Sequence, residues 1–386
     1  MPINILICDP IGLTFEKQGN PDASEVKAHV ETKGGTFHVE DLPKVGGDGD
    51  GSFHFYYRPN ISTRDEILAI TGSGQFDALI AAATLIPPEA KFRLGGVRIG
   101  AGTGNMGSTS WGGPNGIGGT APLMNTPGFN ARATAQMTLK ALLHFQPSLP
   151  FDVLHDRVVS GTFDTGKNLR EFPTAKLEGQ TIAVIGFGNI GREVARLAAA
   201  FGMKVKVYAR VSHHALILAE GFAAVASLVD AAGGADVISV HTGLGALDAA
   251  NRRYANQGLI DAHIFQALAK GATVLNFDRG ECVDANALSD AMSSGQVSNA
   301  AIDADIFTNG GEASGPMAPY LPIARRFGKR ILLLPHAAAD TDHPSRVAGA
   351  KQAVDQIFDA ILYKRVVNRK GDLPAGYTDG GVMLGV

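Results

Sequence analysis

Residues 181–210 read TIAVIGFGNIGREVARLAAAFGMKVKVYAR, and the rest of the chain is best understood outward from them. The opening run, 181–185, is made of small and β-branched residues and predicts a short strand buried on both faces. Gly186, Gly188 and Gly191 follow in the spacing G-x-G-x-x-G. Residues 192–201 then have a helical pattern, with Val194, Leu197, Ala198 and Phe201 on one apolar face. Gly202 ends that helix, and 204–208 reads as a second strand. In such a unit the first glycine permits a tight turn. The second lets a pyrophosphate approach the backbone, and the third lets helix and strand pack closely. Asn189 and Ile190 lie inside the turn, where the helix N-terminus offers free N–H groups and a partial positive charge to that pyrophosphate. In a chain with 48 glycines the spacing alone is weak. The strand before it, the helix after it and the second strand beyond make it a dinucleotide site.

The chain of 386 residues has room for two domains with substantial cores. Hydrophobic residues at 45% and charged residues at 18% are the balance of an ordinary soluble globular protein. A net charge of −3 implies no broad basic surface, so nucleic acid is not an expected partner. Cys8 and Cys282 are too few for a disulfide framework or a thiolate metal cage. The start, MPINILICDP, lacks the features of a signal peptide, and no apolar run approaches a membrane span. A cytoplasmic protein is the expectation. Residues 42–52, LPKVGGDGDGS, lack the EF-hand spacing and its terminal glutamate, so a solvated loop is expected there and no metal.

Strands are predicted at 4–8, 36–39, 76–81 and 97–101, with helices at 24–32 and 65–72, the alternation of an α/β domain. Residues 100–120, GAGTGNMGSTSWGGPNGIGGT, contain the only tryptophan, Trp111. They read as a flexible connection, with a substrate lid as the other reading. A helix at 131–144 carries the chain into a second domain. The rhythm resumes there with strands at 237–241, 273–277, 300–303 and 331–334 and helices at 260–269 and 285–294. A helix at 346–363 returns to the first domain.

In parallel sheets, ligands bind outside the carboxyl ends of the strands. The residues that follow the predicted strands are the glycine turn, Arg210, Asp278–Arg279–Gly280, Asp303 with Asp305, and His336. Cofactor turn, anion binder, carboxylates and proton donor would thus share one edge.

With these residues in place, the chain resembles the D-isomer-specific 2-hydroxyacid dehydrogenases. The motifs are GAGTGN at 100–105, NTPGFNARATAQ at 125–136, IGFGNIG at 185–191, NFDRGECVD at 276–284, AAIDADIF at 300–307 and LLPHAAADT at 333–341. The resemblance implies an α/β fold of two Rossmann-like, doubly wound parallel-sheet domains with a cleft between them. Residues 125–336 would form the cofactor domain, and 1–124 with 337–386 a discontinuous substrate domain. It implies reversible reduction of a small 2-oxo acid by a nicotinamide cofactor, and a homodimer. Arg279 would clamp the substrate carboxylate and carbonyl, as its permanent charge and bidentate donors suit it to do. His336 would relay the proton. Backbone N–H groups of Thr103 and Gly104 would hold the substrate carboxylate, and Asp303 or Asp305 would lie near the nicotinamide. Two positions depart from the pattern. The glutamate that usually partners the histidine is absent at Thr308 or Gly310, which leaves Glu312 as its nearest replacement, and a common family glutamate is here Gln136.

The acidic residue that binds the ribose of NAD about 20 positions after a glycine turn is replaced by Ala209. Arg210, Ser212 and His213 beside it suit a 2′-phosphate, so NADP(H) is expected over NAD(H). The alternative functions are a formate-dehydrogenase-like enzyme, in which an amide replaces the acid partner of the histidine, and a non-catalytic, cofactor-sensing corepressor-like protein. Methyl transfer with S-adenosylmethionine explains neither Arg279 nor His336.

Overall fold

The computed structural model describes residues 2–17, 19–43, 51–61, 63–248, 250–309, 311–336 and 342–383. Two units divide the chain, one made of 1–130 with 340–386 and the other of 131–339, and each is built on a seven-stranded sheet.

In the first unit β1 (Ile3–Cys8), β2 (Thr36–Val39), β3 (Phe53–Arg58), β4 (Ala78–Ala81), β5 (Gly95–Arg98) and β6 (Leu123–Asn125) run parallel in the order β2-β3-β1-β4-β5-β6. Arg369–Lys370 adds an antiparallel edge to β6. Side chains alternate across the pleat, so β1 sends Ile5 and Ile7 to one face and Leu6 and Cys8 to the other. The first face packs under the helices Ser24–Thr32 and His343–Leu362, through Val26, Val30, Val354 and Ile357. The second face meets Ile67 of the helix Arg64–Thr71, whose start is fixed by a capping box between Thr63 and Glu66.

That second face also corrects the reading of residues 100–120. Trp111 is fully buried, its indole N–H donates to the Met106 carbonyl at 2.8 Å, and its ring stacks on Phe92 with centroids 5.7 Å apart. Around Trp111 the segment is packed into the core rather than a loose connection, because a large aromatic with a satisfied polar handle anchors it. The aromatic strand β3 goes unpredicted, although FHFYYR is a strong strand composition. The aspartates of the 42–52 loop lie outside the described residues.

The second unit holds β7 (Thr181–Ile185), β8 (Lys204–Tyr208), β9 (Ala223–Val225), β10 (Val237–Val240), β11 (Leu247–Asp248), β12 (Arg253–Tyr254), β13 (Ala272–Asn276), β14 (Val297–Asp303), β15 (Phe307–Asn309), β16 (Glu312–Ser314) and β17 (Ile331–Leu334). Its sheet is wholly parallel, in the order β9-β8-β7-β10-β13-β14-β17. Strand order reverses at β7, so the turn after β7 stands at the topological switch point where such sheets bind ligands. One face of the sheet packs on Ile264, Phe265, Leu288 and Tyr320. The other packs on Leu139 and Leu142 of the helix Ala131–Phe145 and on Val194 and Ala198 of the helix Asn189–Ala200. Two small antiparallel hairpins, β11–β12 and β15–β16, stand outside the sheet. Among the described residues no helix is long and apolar enough to cross a membrane. No cluster of three or more His, Cys, Asp or Glu suits a metal ion there either.

Candidate active site

The glycine turn has the geometry its spacing predicts. Gly186 has φ of 100°, and a β-carbon there would fall 2.3 Å from the His241 carbonyl oxygen. A β-carbon on Gly191 would fall 2.1 Å from the carbonyl oxygen of Gly186, so side chains are excluded at both positions. A β-carbon on Gly188 would meet no atom within 4 Å, which leaves the approach to the backbone open. The helix Asn189–Ala200 begins directly behind it, without a side-chain cap, so the N–H groups of Asn189, Ile190 and Gly191 face that approach. A pyrophosphate fits this cradle. At the end of β8 no carboxylate follows Tyr208. Arg210 and Ser212 are exposed there, and an Arg210 Nη lies 3.5 Å from His213 Nε2.

The strands β13, β14 and β17 are neighbours, and their carboxyl ends bring Asp278, Arg279, Asp303, Asp305 and His336 together. Arg279 Nη1 is 3.7 Å from Asp305 Oδ2, and its Nε is 4.0 Å from Asp278 Oδ1. Both separations are too long for hydrogen bonds, so the guanidinium is attracted to these carboxylates while, among the described residues, its N–H donors stay available. The Asn276 amide donates to the Arg279 carbonyl at 2.9 Å and fixes the backbone that carries it. Burial raises the Asp278 carboxyl above its ordinary value, against the lowering pull of the Arg279 charge and of His336.

His336 follows Leu334 and Pro335 with φ of 53°, a region that non-glycine residues seldom occupy. Its Nδ1 lies 3.4 Å from the Asp303 carbonyl oxygen and 3.8 Å from Asp303 Oδ2. Asp303, almost wholly buried, is thus the carboxylate beside this ring. The expectation that Glu312 fills that place is overturned. Glu312 is exposed on β16, paired through its backbone with Asn309, because residues 307–314 turn back on themselves as a hairpin. The ambiguity between Asp303 and Asp305 resolves into two places, one carboxylate beside His336 and the other beside Arg279.

Thr103 and Gly104 belong to the other unit, beyond β5. Thr103 Oγ1 donates to the Pro114 carbonyl, and Asn105 pins the turn to the carbonyls of Ala82 and Thr84. Among the described residues the Thr103 and Gly104 N–H groups have no acceptor. Gln136 is exposed on the helix Ala131–Phe145.

His241 is a site residue that the sequence reading passed over. It ends β10 against the glycine turn, buried, with Nε2 2.7 Å from Ser239 Oγ. Its signal is its place one residue past a buried strand, the rule applied to every other residue of the site. Burial pushes its pKa down from 6.5 to about 3. The folded state keeps the ring neutral, whereas the unfolded chain takes up a proton below 6.5, so its contribution is full above 6.5 and is lost as the pH falls toward 3. Between pH 6.5 and 5 this group alone should remove about 2 kcal/mol of stability. Urea unfolding of His241→Asn should show a pH dependence smaller by that amount. An unchanged slope would place the acid sensitivity elsewhere.

Residues 148–338 match the family described as D-isomer specific 2-hydroxyacid dehydrogenase, NAD binding domain. The chain is 28% identical to D-3-phosphoglycerate dehydrogenase of Rattus norvegicus over 242 residues, 63% of this chain and 40% of that one. It is 34% identical to erythronate-4-phosphate dehydrogenase of Bacteroides fragilis over 128 residues, 33% of this chain and 34% of the other. The match therefore spans well under half the length of these relatives. Among solved structures, D-lactate dehydrogenase from Escherichia coli superposes with a TM-score of 0.62 at 16% identity, covering 94% of this chain and 97% of the other. The NADPH-dependent glyoxylate/hydroxypyruvate reductase of Sinorhizobium meliloti superposes with a TM-score of 0.59 at 18% identity, covering 95% and 97%. Residues 148–338, with their doubly wound sheet and glycine turn, thus belong to the NAD-binding domain family of the D-isomer-specific 2-hydroxyacid dehydrogenases.

Proposed function

We propose that the chain catalyses the reversible reduction of a 2-oxo acid to a D-2-hydroxy acid with a nicotinamide cofactor. The observation that carries this reading is the placing of Arg279 and His336 past the carboxyl ends of β13 and β17, on either side of β14, in the sheet that bears the glycine turn. When bound, the nicotinamide supplies the hydride. Arg279 holds the substrate carboxylate and polarises the carbonyl, while the ring nitrogen of His336 turned away from Asp303 gives a proton to the oxygen. The N–H groups of Thr103 and Gly104 are the second carboxylate donors. A carboxylate beside His336, rather than an amide, favours this reading over the formate-dehydrogenase-like one. The test is oxidation of NADPH or NADH in the presence of 2-oxo acids. A corepressor-like protein would bind the cofactor and be stabilised by it without turnover.

NADP(H) is the proposed cofactor. Ala209 takes the position of the ribose carboxylate of NAD-specific sites, and beside it Arg210, 3.5 Å from His213, and the Ser212 hydroxyl suit a 2′-phosphate. Arg210→Ala should raise the KM for NADPH on the order of tenfold, the scale of one charge-assisted contact, and leave that for NADH nearly unchanged. Preference of the parent protein for NADH would end this assignment.

A homodimer is proposed as well. The helix Phe151–Val159 has no buried residue, and it exposes 76% of Phe151 and 73% of Val159. Apolar area of that kind on one helix marks an association surface. Light scattering should give twice the chain mass, and Phe151→Asp should lower it toward one. A single-chain mass for the parent protein at micromolar concentration would count against the dimer.

A further inference from the structure

The cofactor unit holds a second concavity, of about 500 Å³, whose walls do not include Arg279, Asp303 or His336. It lies between the β11–β12 hairpin, the residues after Arg279 and the residues after β16. Val283, Pro316, Pro319 and Tyr320 give it an apolar lining. The Tyr320 hydroxyl is engaged with the carbonyls of Gly280 and Val283, at 2.7 and 2.8 Å, so it adds little free polarity. Three charged residues complete the wall: Arg253, Glu281 and Asp284.

Two of those charges are already committed. Arg253 donates to the Gln257 carbonyl at 2.9 Å, and Asp284 accepts from the Ala287 N–H as the cap of the helix Ala285–Ser293. Glu281 differs. Its Oε2 is buried and has no hydrogen-bond partner among the described residues. Among the described residues no donor or cation reaches the Glu281 side chain, so this carboxylate is the charge on the wall without a partner, and its complement is a cation. The wall as a whole carries one positive and two negative charges, which disfavours an anion.

We infer that this cavity binds a small organic cation, a primary ammonium or guanidinium group on an apolar body. The cation forms charge-assisted hydrogen bonds with the Glu281 carboxylate. The apolar body lies on Pro316, Pro319 and Val283, and the volume is that of an ordinary small-molecule pocket. The site is separate from the catalytic reading, and its test needs no turnover.

The experiment is calorimetric titration of the full chain with phenethylammonium, with 3-phenylpropionate as a control of similar shape and opposite charge. Saturable binding of the cation and none of the anion is expected. Glu281→Gln should weaken cation binding on the order of tenfold, the scale of a hydrogen bond to a charged group. Arg253→Gln should strengthen it, because a nearby like charge is removed. Loss of fold cannot move the two variants in opposite directions. Absence of saturable cation binding at millimolar concentration, equal binding of the anion, or unchanged affinity in Glu281→Gln would overturn the inference. That last result would mean that a buried water satisfies the carboxylate. If Glu281→Gln fails to fold, Arg253→Gln decides alone, and unchanged or weaker cation binding there overturns the inference.

Discussion

Arg279→Ala is expected to lower kcat/KM for 2-oxo acids on the order of 10³-fold, the scale of losing a preorganised charged donor at a developing oxyanion. The size of the effect follows from the free donors of this side chain. Asp305 and Asp278 stand 3.7 and 4.0 Å away, near enough to orient the guanidinium and too far to occupy its N–H groups. Removing it leaves three carboxylates, Asp278, Asp303 and Asp305, around an anionic substrate. Both KM and kcat should therefore suffer. Arg279→Lys keeps the charge and loses the planar fork, so it should recover only part of the loss. Cofactor affinity should stay near that of the parent protein, because the glycine turn is untouched. Near-normal kcat/KM in Arg279→Ala would remove the residue from the reaction.

His336→Ala is the second large effect, a fall in kcat on the order of 10²-fold or more, the usual scale for loss of a general acid. Its KM should change much less, which separates it from Arg279→Ala. The backbone of this ring has φ of 53° and Asp303 stands beside Nδ1, which leaves the other nitrogen for the proposed proton transfer. Such a backbone outlier persists only where surrounding structure enforces it, and active sites are a common place for that. The fall in reduction rate as pH rises in the parent protein should be absent from the residual activity of His336→Ala. Glu312→Gln should leave the rate and its pH profile unaltered, because Glu312 stands exposed on its hairpin. A pH profile shifted by Glu312→Gln would restore the partner that the structure removes.

The parts that were legible in the sequence are those in which local geometry dictates residue type. Gly186 and Gly191 leave no room for a β-carbon, so their spacing reports the turn directly. The roles proposed for Arg279 and His336 also rest on a local pattern, since each stands within three residues of the end of a short apolar strand. The partner of His336 was not. Asp303 lies 33 positions away and reaches the ring only because β14 pairs with β17, with Asp303 opposite Leu334. No local pattern records that register. Glu312 misled for the same reason, since proximity in sequence substituted for the unseen hairpin that carries it outward. Trp111 misled differently. Its glycine-rich surroundings have the composition of a loose loop, whereas burial against Phe92 is a tertiary fact. His241 stands directly past β10, so the strand-end pattern marks it as well.

The configuration of the product decides whether the chain reduces 2-oxo acids in the way proposed. The protein is incubated with NADPH and a set of 2-oxo acids that differ in side chain, and the mixture is resolved by chiral chromatography. Oxidation of the cofactor and one D-2-hydroxy acid are expected, formed in the parent protein and nearly absent in Arg279→Ala and His336→Ala. Cofactor binding without turnover of any 2-oxo acid, or an L-configured product, would contradict the proposed reaction.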